Sequence, residues 1–293
     1  MKFDFIRRRK IWYIISLLII IPGIISFFTR GLNLGIDFKG GNILDVHFTQ
    51  NVTIAQLRST LDELKIEGLP QEAGKNNFII RTSELSEEQN KSLIKNLSDK
   101  LGEMKVNRNE KVSGTVGKEL TQKAIYSIII ASILMVVYIT FRFEFYFGLA
   151  AVLALIHDVL VVVGVFSLFQ IEVDGTFVAA LLTIIGYSIN DTIVIFDRIR
   201  ENLRFYKKES NIDVANMSIN QTLFRSISTV LTVIMCLVAI LVFGGETTRI
   251  FALAMLIGTI TGCYSSIFNA SPLWIDFKSL SQKKHKNPVA ANK

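Results

Sequence analysis

Charged residues are scarce in this chain of 293 residues, of which only 19% are Asp, Glu, Lys or Arg. Average soluble domains are about 25% charged. Hydrophobic residues make up 50% of the chain, and its mean hydropathy is +0.42. Because the apolar residues come in long uncharged runs, the composition argues against a soluble protein and predicts an α-helical membrane protein.

Cysteine is rare, and the common catalytic motifs are absent. Cys236 and Cys263 both lie inside apolar runs without a disulfide or metal-binding spacing, so we interpret them as packing residues. The sequence contains no Gly-x-Ser-x-Gly, His-Glu-x-x-His or Gly-Lys-Ser/Thr motif. These absences argue against an enzyme, a metal site and a nucleotide-binding loop.

The net charge of +7 does not indicate a nucleic-acid partner. Of the 32 Lys and Arg residues, 17 flank apolar runs, and residues 30–123 carry 14 basic against 13 acidic residues. Nucleic-acid binding requires a basic stripe on one face, whereas basic clusters at the ends of apolar helices set their orientation in a membrane. The charge distribution therefore predicts insertion into a lipid bilayer.

Six apolar runs are long enough to cross a bilayer core of about 30 Å. We predict transmembrane helices over 11–28, 124–141, 145–171, 175–198, 225–245 and 250–275. The first run is longer than a signal-peptide core and lacks a cleavage pattern, so we expect residues 1–29 to be retained as a cytoplasmic N-terminus and anchor. All basic clusters fall on one side if the tail 276–293 is also cytoplasmic and residues 30–123 lie outside.

Residues 30–123 differ in pattern from the runs around them and predict a folded domain. Alternating apolar residues predict strands over 42–49, 77–82 and 104–113. Helical spacing predicts helices over 53–65 and 86–101, the second with Ser86 and Gln89 at capping-box positions. The suggested order β-α-β-β-α-β predicts a ferredoxin-like α+β domain on the periplasmic side, although a spacer without a binding role has the same pattern.

Asp191, in the fourth run, is the strongest functional candidate. A charge at the bilayer centre costs about 2.5–3.5 kcal/mol on insertion scales. A polar face of Thr183, Tyr187, Ser188 and Asp191 predicts that the carboxyl group points into the bundle, with Asn190 and Arg198 as further supporting residues. Burial favours the neutral carboxyl group, which would let Asp191 exchange protons, with Arg198 or Arg225 as its counter-charge. A fixed structural salt bridge explains the same pattern equally well.

His157 and Asp158 interrupt the third run. As sequence neighbours on a helix they point about 100° apart, so we expect that they do not line one narrow path. Asp158 is a candidate second proton site or a hydrogen-bonded packing residue, and we interpret His157 as structural.

Small residues recur every four positions in the sixth run. This ridge consists of Ala254, Gly258, Gly262, Ser266 and Ala270. It predicts close helix packing, either within the bundle or against a partner subunit.

Several ordered segments make the chain similar to the SecD/SecF family of protein-export membrane proteins. Residues 186–194 and 197–202 resemble the signature of that family's fourth span, and residues 154–159 resemble its third-span motif. The outer domain opens with a family motif that here contains Gly35, Asp37, Phe38, Gly40 and Gly41. Segments 216–225 and 262–268 match later motifs, so the similarity extends over about residues 30–275.

The resemblance implies a multi-pass protein of the bacterial inner membrane, within the resistance-nodulation-division superfamily. It implies a subunit of the Sec translocase that uses the proton-motive force to assist export of unfolded preproteins, with SecD, the SecYEG channel and accessory subunits as partners. No cofactor is implied, and protons are the coupling ion. Carried over to matching positions, Asp191 and Arg225 become proton-path residues and Asp158 a further candidate.

One departure from the family pattern precedes the second span. Where the family usually has Val-Gly-Pro-x-Val-Gly, residues 112–117 read Val-Ser-Gly-Thr-Val-Gly. We expect the missing proline near Gly114 to loosen the connection between the outer domain and the bundle without affecting the intramembrane residues.

Other functions fit the same span layout. A proton-coupled exporter of small molecules or lipids requires a ligand pocket, of which the nearly neutral outer domain gives no sign. A scaffold that only stabilises a partner predicts that Asp191 and Arg225 tolerate neutral replacement. An intramembrane aspartyl protease built from Asp158 and Asp191 is the third alternative.

Overall fold

The computed structural model describes residues 3–286, which divide into two compact units. One unit comprises the chain up to Asn33 together with the chain from Tyr126 onward, and the other is Leu34–Ile125. The last part of the predicted tail 276–293 lies outside the described residues. Each unit is described by itself.

The helical unit contains all or part of every long helix. Its elements are α1 (Arg9–Arg30), α5 (Gly114–Arg142, which starts in the other unit), α6 (Phe145–Leu168), the short strand β6 (Glu172–Val173), α7 (Gly175–Phe205), α8 (Asn211–Phe243), α9 (Glu246–Ser265), a π-helical turn (Ser266–Ala270) and α10 (Ser271–Lys286). Within the described residues, six helical segments are long and apolar enough to cross a membrane, α9 to α10 counting as one. The prediction of six transmembrane helices is therefore confirmed.

Three helices extend well beyond the predicted apolar runs. Helix α5 begins ten residues before position 124, α7 continues to Phe205, and α8 begins at Asn211 rather than at 225. Ser210 caps α8 by accepting a hydrogen bond from the backbone N–H of Asp213 at 3.2 Å. Hydropathy marks only the part of a helix that is apolar, whereas backbone hydrogen bonding continues into the polar flanks until a cap ends it.

Helices α6, α7 and α9 form the centre of the bundle. In the most apolar stretches of α6, of α7 and of the segment from α9 to α10, 56%, 44% and 50% of residues are buried, compared with 17%, 6% and 17% in α1, α5 and α8. Near one end, the ring of Trp274 stacks on Phe147 with centroids 4.5 Å apart, and Phe196 lies 4.9 Å from Phe147 on the other side. The peripheral helices therefore present most of their apolar surface outward.

The second unit is an α+β domain. Its elements are β1 (Asn33–Leu34, which begins in the helical unit), α2 (Ile36–Lys39), β2 (Gly41–Phe48), α3 (Ile54–Glu63), β3 (Gly68–Glu72), β4 (Asn77–Thr82), α4 (Glu87–Leu101) and β5 (Met104–Val112). Strands β2 to β5 form one antiparallel sheet in the order β3-β4-β2-β5. Buried side chains of β2 and β4, including Val46 opposite Phe78, pack against Leu57 of α3 and Leu93 of α4.

Local sequence signals explain most of this domain. The predicted capping box of Ser86 and Gln89 is confirmed, and Thr53 with Gln56 forms a second one that starts α3. Strand β3 was not located from the sequence, because Gly68 and Pro70 are unfavourable in strands. It lies at the edge of the sheet, where a missing N–H donor at Pro70 is tolerated.

Glycines at the start of the domain allow backbone conformations and close contacts that other residues do not. Gly35 precedes α2, which holds Asp37 and the buried Phe38, and the backbone then turns through Gly40 and Gly41 with φ of +79° and +136°. A Cβ atom on Gly40 would lie 2.7 Å from the Cα of Gly114. Gly114 is the residue that stands where the family pattern has proline. This segment, without the proline, forms the first turn of α5, in which Gly117 N–H donates to Ser113 O at 2.9 Å.

Replacement of Gly41 by alanine should destabilise this domain more than the same change at Gly74. Both glycines have φ in the left-handed region, +136° and +127°, but a Cβ on Gly41 would lie 2.6 Å from Thr82 O, whereas nothing lies within 4 Å of one on Gly74. The overpacking at Gly41 should add about 1–3 kcal/mol to the shared backbone strain. Hydrogen exchange of β2 and β4 amides in the full-length protein measures the difference, and equal losses of protection would contradict the assignment.

Candidate functional site

Asp191 lies on α7 and faces α8. Its Oδ1 atom accepts a hydrogen bond from Ser226 Oγ at 2.6 Å, while Oδ2 is buried and has no hydrogen-bond partner among the described residues. The carboxyl group is therefore satisfied on one side only. An unpartnered buried carboxylate oxygen is unfavourable in an apolar environment, which makes this group responsive to a proton or a new donor.

Arg225, next to Ser226 on α8, shares a cavity with Asp191. The cavity has a volume of about 250 Å³ and is lined by residues of α7 and α8 that include Tyr187, Asn190 and both charged residues. In the part of the chain that the structure describes, Arg225 and Asp191 form no direct ion pair. The two charges are thus close enough to interact electrostatically without being fixed to each other.

Arg198, the other predicted counter-charge, is engaged elsewhere. Its Nε donates to Gln221 Oε1 at 2.6 Å and its Nη1 to Glu201 Oε2 at 2.7 Å. These contacts lie on the polar extension of α7, two turns beyond Asp191. Arg198 therefore does not support the polar face around Asp191 in this conformation.

The polar face predicted on α7 divides between two neighbouring helices. Tyr187 and Asn190 line the cavity with Asp191, and Tyr187 OH donates to Thr229 O at 3.4 Å. Ser188 instead donates to Asp158 Oδ2 of α6 at 2.5 Å. Because successive helical residues are rotated by about 100°, adjacent members of one apparent face can contact different partners.

Asp158 is completely buried between α6, α7 and α9. Its Oδ2 accepts from Ser188 at 2.5 Å and from Ser265 at 2.8 Å, and its Oδ1 lies 3.0 Å from His157 Nδ1. As neighbours on α6, His157 and Asp158 leave the helix in different directions, yet their polar atoms come within hydrogen-bond distance of each other. Helix geometry fixes the Cβ direction and not the position of the polar atoms further out.

Three further polar residues of this network were missed from the sequence. His157 Nε2 lies 3.0 Å from Ser16 Oγ of α1, and Asn269 Nδ2 donates to the same oxygen at 2.9 Å. Ser265, which donates to Asp158, lies within the motif 262–268, and Asn269 directly follows that motif. The available signal was two serines, Ser16 and Ser26, in an otherwise largely apolar run, and the sequence does not show which of them meets the network.

The small-residue ridge of α9 packs against α7. A Cβ on Gly258 would lie 2.4–2.9 Å from side-chain atoms of Ile184, and one on Gly262 would lie 3.0 Å from the Cβ of Ser188. Ala254, Ser266 and Ala270 are fully buried. The close approach brings Ser265 within reach of Asp158 and allows Ser266 Oγ to pair with Thr192 Oγ1 at 2.7 Å.

Together these observations define a class: a multi-pass membrane protein with one fully buried and one partly buried carboxyl group among its spanning helices and a separate α+β domain. Residues 92–280 match the family described as protein export membrane protein SecD/SecF, C-terminal, and residues 25–52 match the SecD/SecF GG motif. The chain belongs to the SecD/SecF family of inner-membrane proteins, and the resemblance inferred from the sequence is confirmed.

Named relatives agree with this assignment. The chain is 44% identical over 286 residues to the protein translocase subunit SecF of Acidaminococcus fermentans, covering 94% of this chain and 98% of the relative. It is 38% identical to the protein translocase subunit SecDF of Bacillus subtilis, covering 97% of this chain and 39% of the relative.

A solved structure has the same fold. The crystal structure of SecDF from Thermus thermophilus, described as a translocon-associated membrane protein, superposes with a TM-score of 0.88 at 35% identity. The match covers 95% of this chain and 39% of that chain. The chain thus spans about two fifths of the length of the SecDF proteins.

Replacement of Gly258 by alanine should weaken the bundle, whereas Gly186→Ala should not. At Gly258 the new methyl group overlaps the buried side chain of Ile184, while at Gly186 the nearest atom is Met135 Cε at 3.8 Å, an ordinary contact. Overpacking of this kind costs about 1–3 kcal/mol. Thermal unfolding of the purified protein in detergent compares the two variants, and equal midpoints would contradict the packing described.

Proposed function

We propose that this chain is a non-enzymatic subunit of the Sec protein translocase that uses the proton-motive force to assist preprotein export, together with a SecD-type partner. The use of protons is supported by one observation above all: the carboxyl group of Asp191 has a hydrogen-bond partner for Oδ1 but none among the described residues for Oδ2, and it shares a cavity with Arg225. The SecF and SecDF names of the relatives support the translocase, and the additional length of the SecDF chains supports the partner. Association with the SecYEG channel and preproteins follows from this assignment.

The proposed mechanism begins with Asp191 ionised and attracted by Arg225. Protonation removes that attraction and frees Arg225 and the α8 segment around Ser226, so the packing of α8 on α7 has two states. A proton that crosses 100 mV supplies about 2.3 kcal/mol, which changes a two-state equilibrium by about 50-fold. A few protons are therefore sufficient to drive one conformational cycle.

The proposed topology has both termini in the cytoplasm. The N-terminal segment lies at the start of α8, since Asn216 Oδ1 accepts from Phe5 N at 2.8 Å and Asn220 Nδ2 donates to Phe3 O at 2.9 Å. Arg9, at the start of α1, donates to Asp276 of α10 at 2.8 Å. These contacts support one common end for the basic segments, and the positive-inside rule assigns that end to the cytoplasm.

We further propose that residues 34–125 form a ferredoxin-like domain on the periplasmic side, where they would meet the emerging preprotein. The element order β2-α3-β3-β4-α4-β5 and the sheet order β3-β4-β2-β5 support that fold. Helices α3 and α4 contact each other, and this contact includes an ion pair between Glu63 and Lys100. Adjacent helices are what that fold requires. One apolar helix precedes the domain, which supports the proposal that the domain and the N-terminus lie on opposite sides of the membrane.

Asp191→Asn should leave assembly intact and remove the acceleration of export by a proton gradient, because asparagine keeps the hydrogen bond to Ser226 but binds no proton. Preprotein export into membrane vesicles with an imposed gradient measures this. Asp197→Asn is a matched control on the same helix, since Asp197 forms an exposed ion pair with Arg142 at 3.1 Å. Gradient-dependent export at the wild-type rate in Asp191→Asn would contradict the proposal and favour a passive scaffold.

Arg225→Gln should also reduce gradient-dependent export toward the rate measured without a gradient, whereas Arg225→Lys should retain a substantial part of it. Lysine preserves the positive charge in the cavity but not the geometry of the guanidinium group. The same vesicle assay with both variants checks this, and a glutamine variant as active as the lysine variant would show that the charge is not required.

A further inference from the structure

The pair formed by His157 and Asp158 lies at the centre of a buried hydrogen-bond network. Asp158 has no exposed surface, and both of its oxygens are occupied by Ser188, Ser265 and His157. Through Ser16, Asn269 and Tyr264, the network continues to α1 and the π-helical turn. It therefore joins the first, third, fourth and sixth spans.

None of the described partners of Asp158 is a lysine or an arginine. Its contacts on α7 and α9 are the neutral hydroxyl groups of Ser188 and Ser265, and only His157 can carry a positive charge beside it. The helices that contact the pair also carry Tyr264, whose ring centroid lies 6.0 Å from that of His157, Cys263, two residues before Ser265, and Asp191, three residues after Ser188. An isolated buried carboxylate is strongly unfavourable, so the pair favours uptake of one additional proton, either on Asp158 or on His157.

Whether the pair holds that additional proton determines the direction of the bond to Ser16. Without the additional proton, His157 Nδ1–H donates to the Asp158 carboxylate and the bare Nε2 accepts from Ser16 Oγ. With it, Nε2 carries a hydrogen and donates to Ser16 Oγ over the same distance of 3.0 Å. In the second case the Ser16 hydroxyl hydrogen has to turn to another acceptor, and Asn269 Oδ1 lies 3.3 Å away. A change at Asp158 is thus transmitted to α1 as a reversal of hydrogen bonds.

We propose that His157 and Asp158 form a second proton-binding site, and that Ser16 transmits its state to the first spanning helix. The ligand is a proton, which Asp158 and His157 Nδ1 share when it is bound and which the pair exchanges with its surroundings. This deepens the proposed function, because a proton-driven chain would then respond at α1 as well as at α8. It also replaces the purely structural interpretation of His157.

The chain offers a matched control in Ser26, on the same helix. Its Oγ lies 3.0 Å from Ser167 Oγ of α6, so Ser16 and Ser26 each connect α1 to α6 and each is buried. Only Ser16 contacts the pair. A general loosening of α1 from α6 should follow either Ser→Ala change, whereas loss of the proton response should follow only Ser16→Ala.

The experiment measures the α1–α6 distance by electron paramagnetic resonance as a function of pH. Nitroxide labels are attached to the full-length protein in lipid vesicles at Leu18→Cys and Leu153→Cys, both exposed, after Cys236→Ala and Cys263→Ala. We expect a pH-dependent change in the wild type and in Ser26→Ala, and none in Ser16→Ala or Asp158→Asn. Equal pH responses in the wild type and Asp158→Asn, or loss of the response in Ser26→Ala, would overturn the proposal.

Infrared titration provides a second measurement that does not depend on the asparagine variant folding. The carboxyl band of Asp158 should titrate in the wild type and in Ser16→Ala, and its midpoint should move in His157→Gln, where no basic nitrogen shares the proton. An unchanged midpoint in His157→Gln would overturn the paired site. Neither readout involves export, so failure of the export proposal at Asp191 would leave these results unaffected.

Discussion

The hydrogen bonds from Ser188 and Ser265 to Asp158 are the interaction on which the helical bundle depends. Inside a bilayer no water is present to satisfy a carboxyl group, so the donors have to come from other spans. Two hydroxyl groups reach one oxygen only if α6, α7 and α9 approach closely. Gly258 and Gly262 permit that approach, which explains why small residues and a buried acid occur together in this sequence.

The two intramembrane acids differ in how completely they are satisfied. Asp158 is enclosed by the most buried helices and has partners for both oxygens, whereas Asp191 faces α8, a peripheral helix, and has one oxygen without a partner. A fully bonded group resists rearrangement, while a partly bonded group beside a cavity can be rearranged with little loss. The two proposals differ accordingly: a change at Asp191 alters its contact with α8, whereas a proton bound at His157 and Asp158 alters the bond to Ser16 while Ser188 and Ser265 keep their contacts.

The sequence was informative where a pattern is local. Hydropathy located six spans, and capping residues located the start of α4, because both depend on residues that are close in the chain. The division of the α7 polar face between Asp191 and Ser188, the contact of His157 with Asp158, and the role of Ser16 depend on which helices are neighbours. That information belongs to the packing and is not contained in the spacing of residues along one helix.

The π-helical turn Ser266–Ala270 has a consequence for the sixth span as a whole. A π turn holds one more residue than an α turn, so the helix after it is rotated relative to the helix before it. Before the turn, the glycines set the contact with α7, and after it, Trp274 sets the contact with Phe147. The sixth span therefore consists of two independently oriented halves, and each can adapt to its own neighbour without disturbing the other.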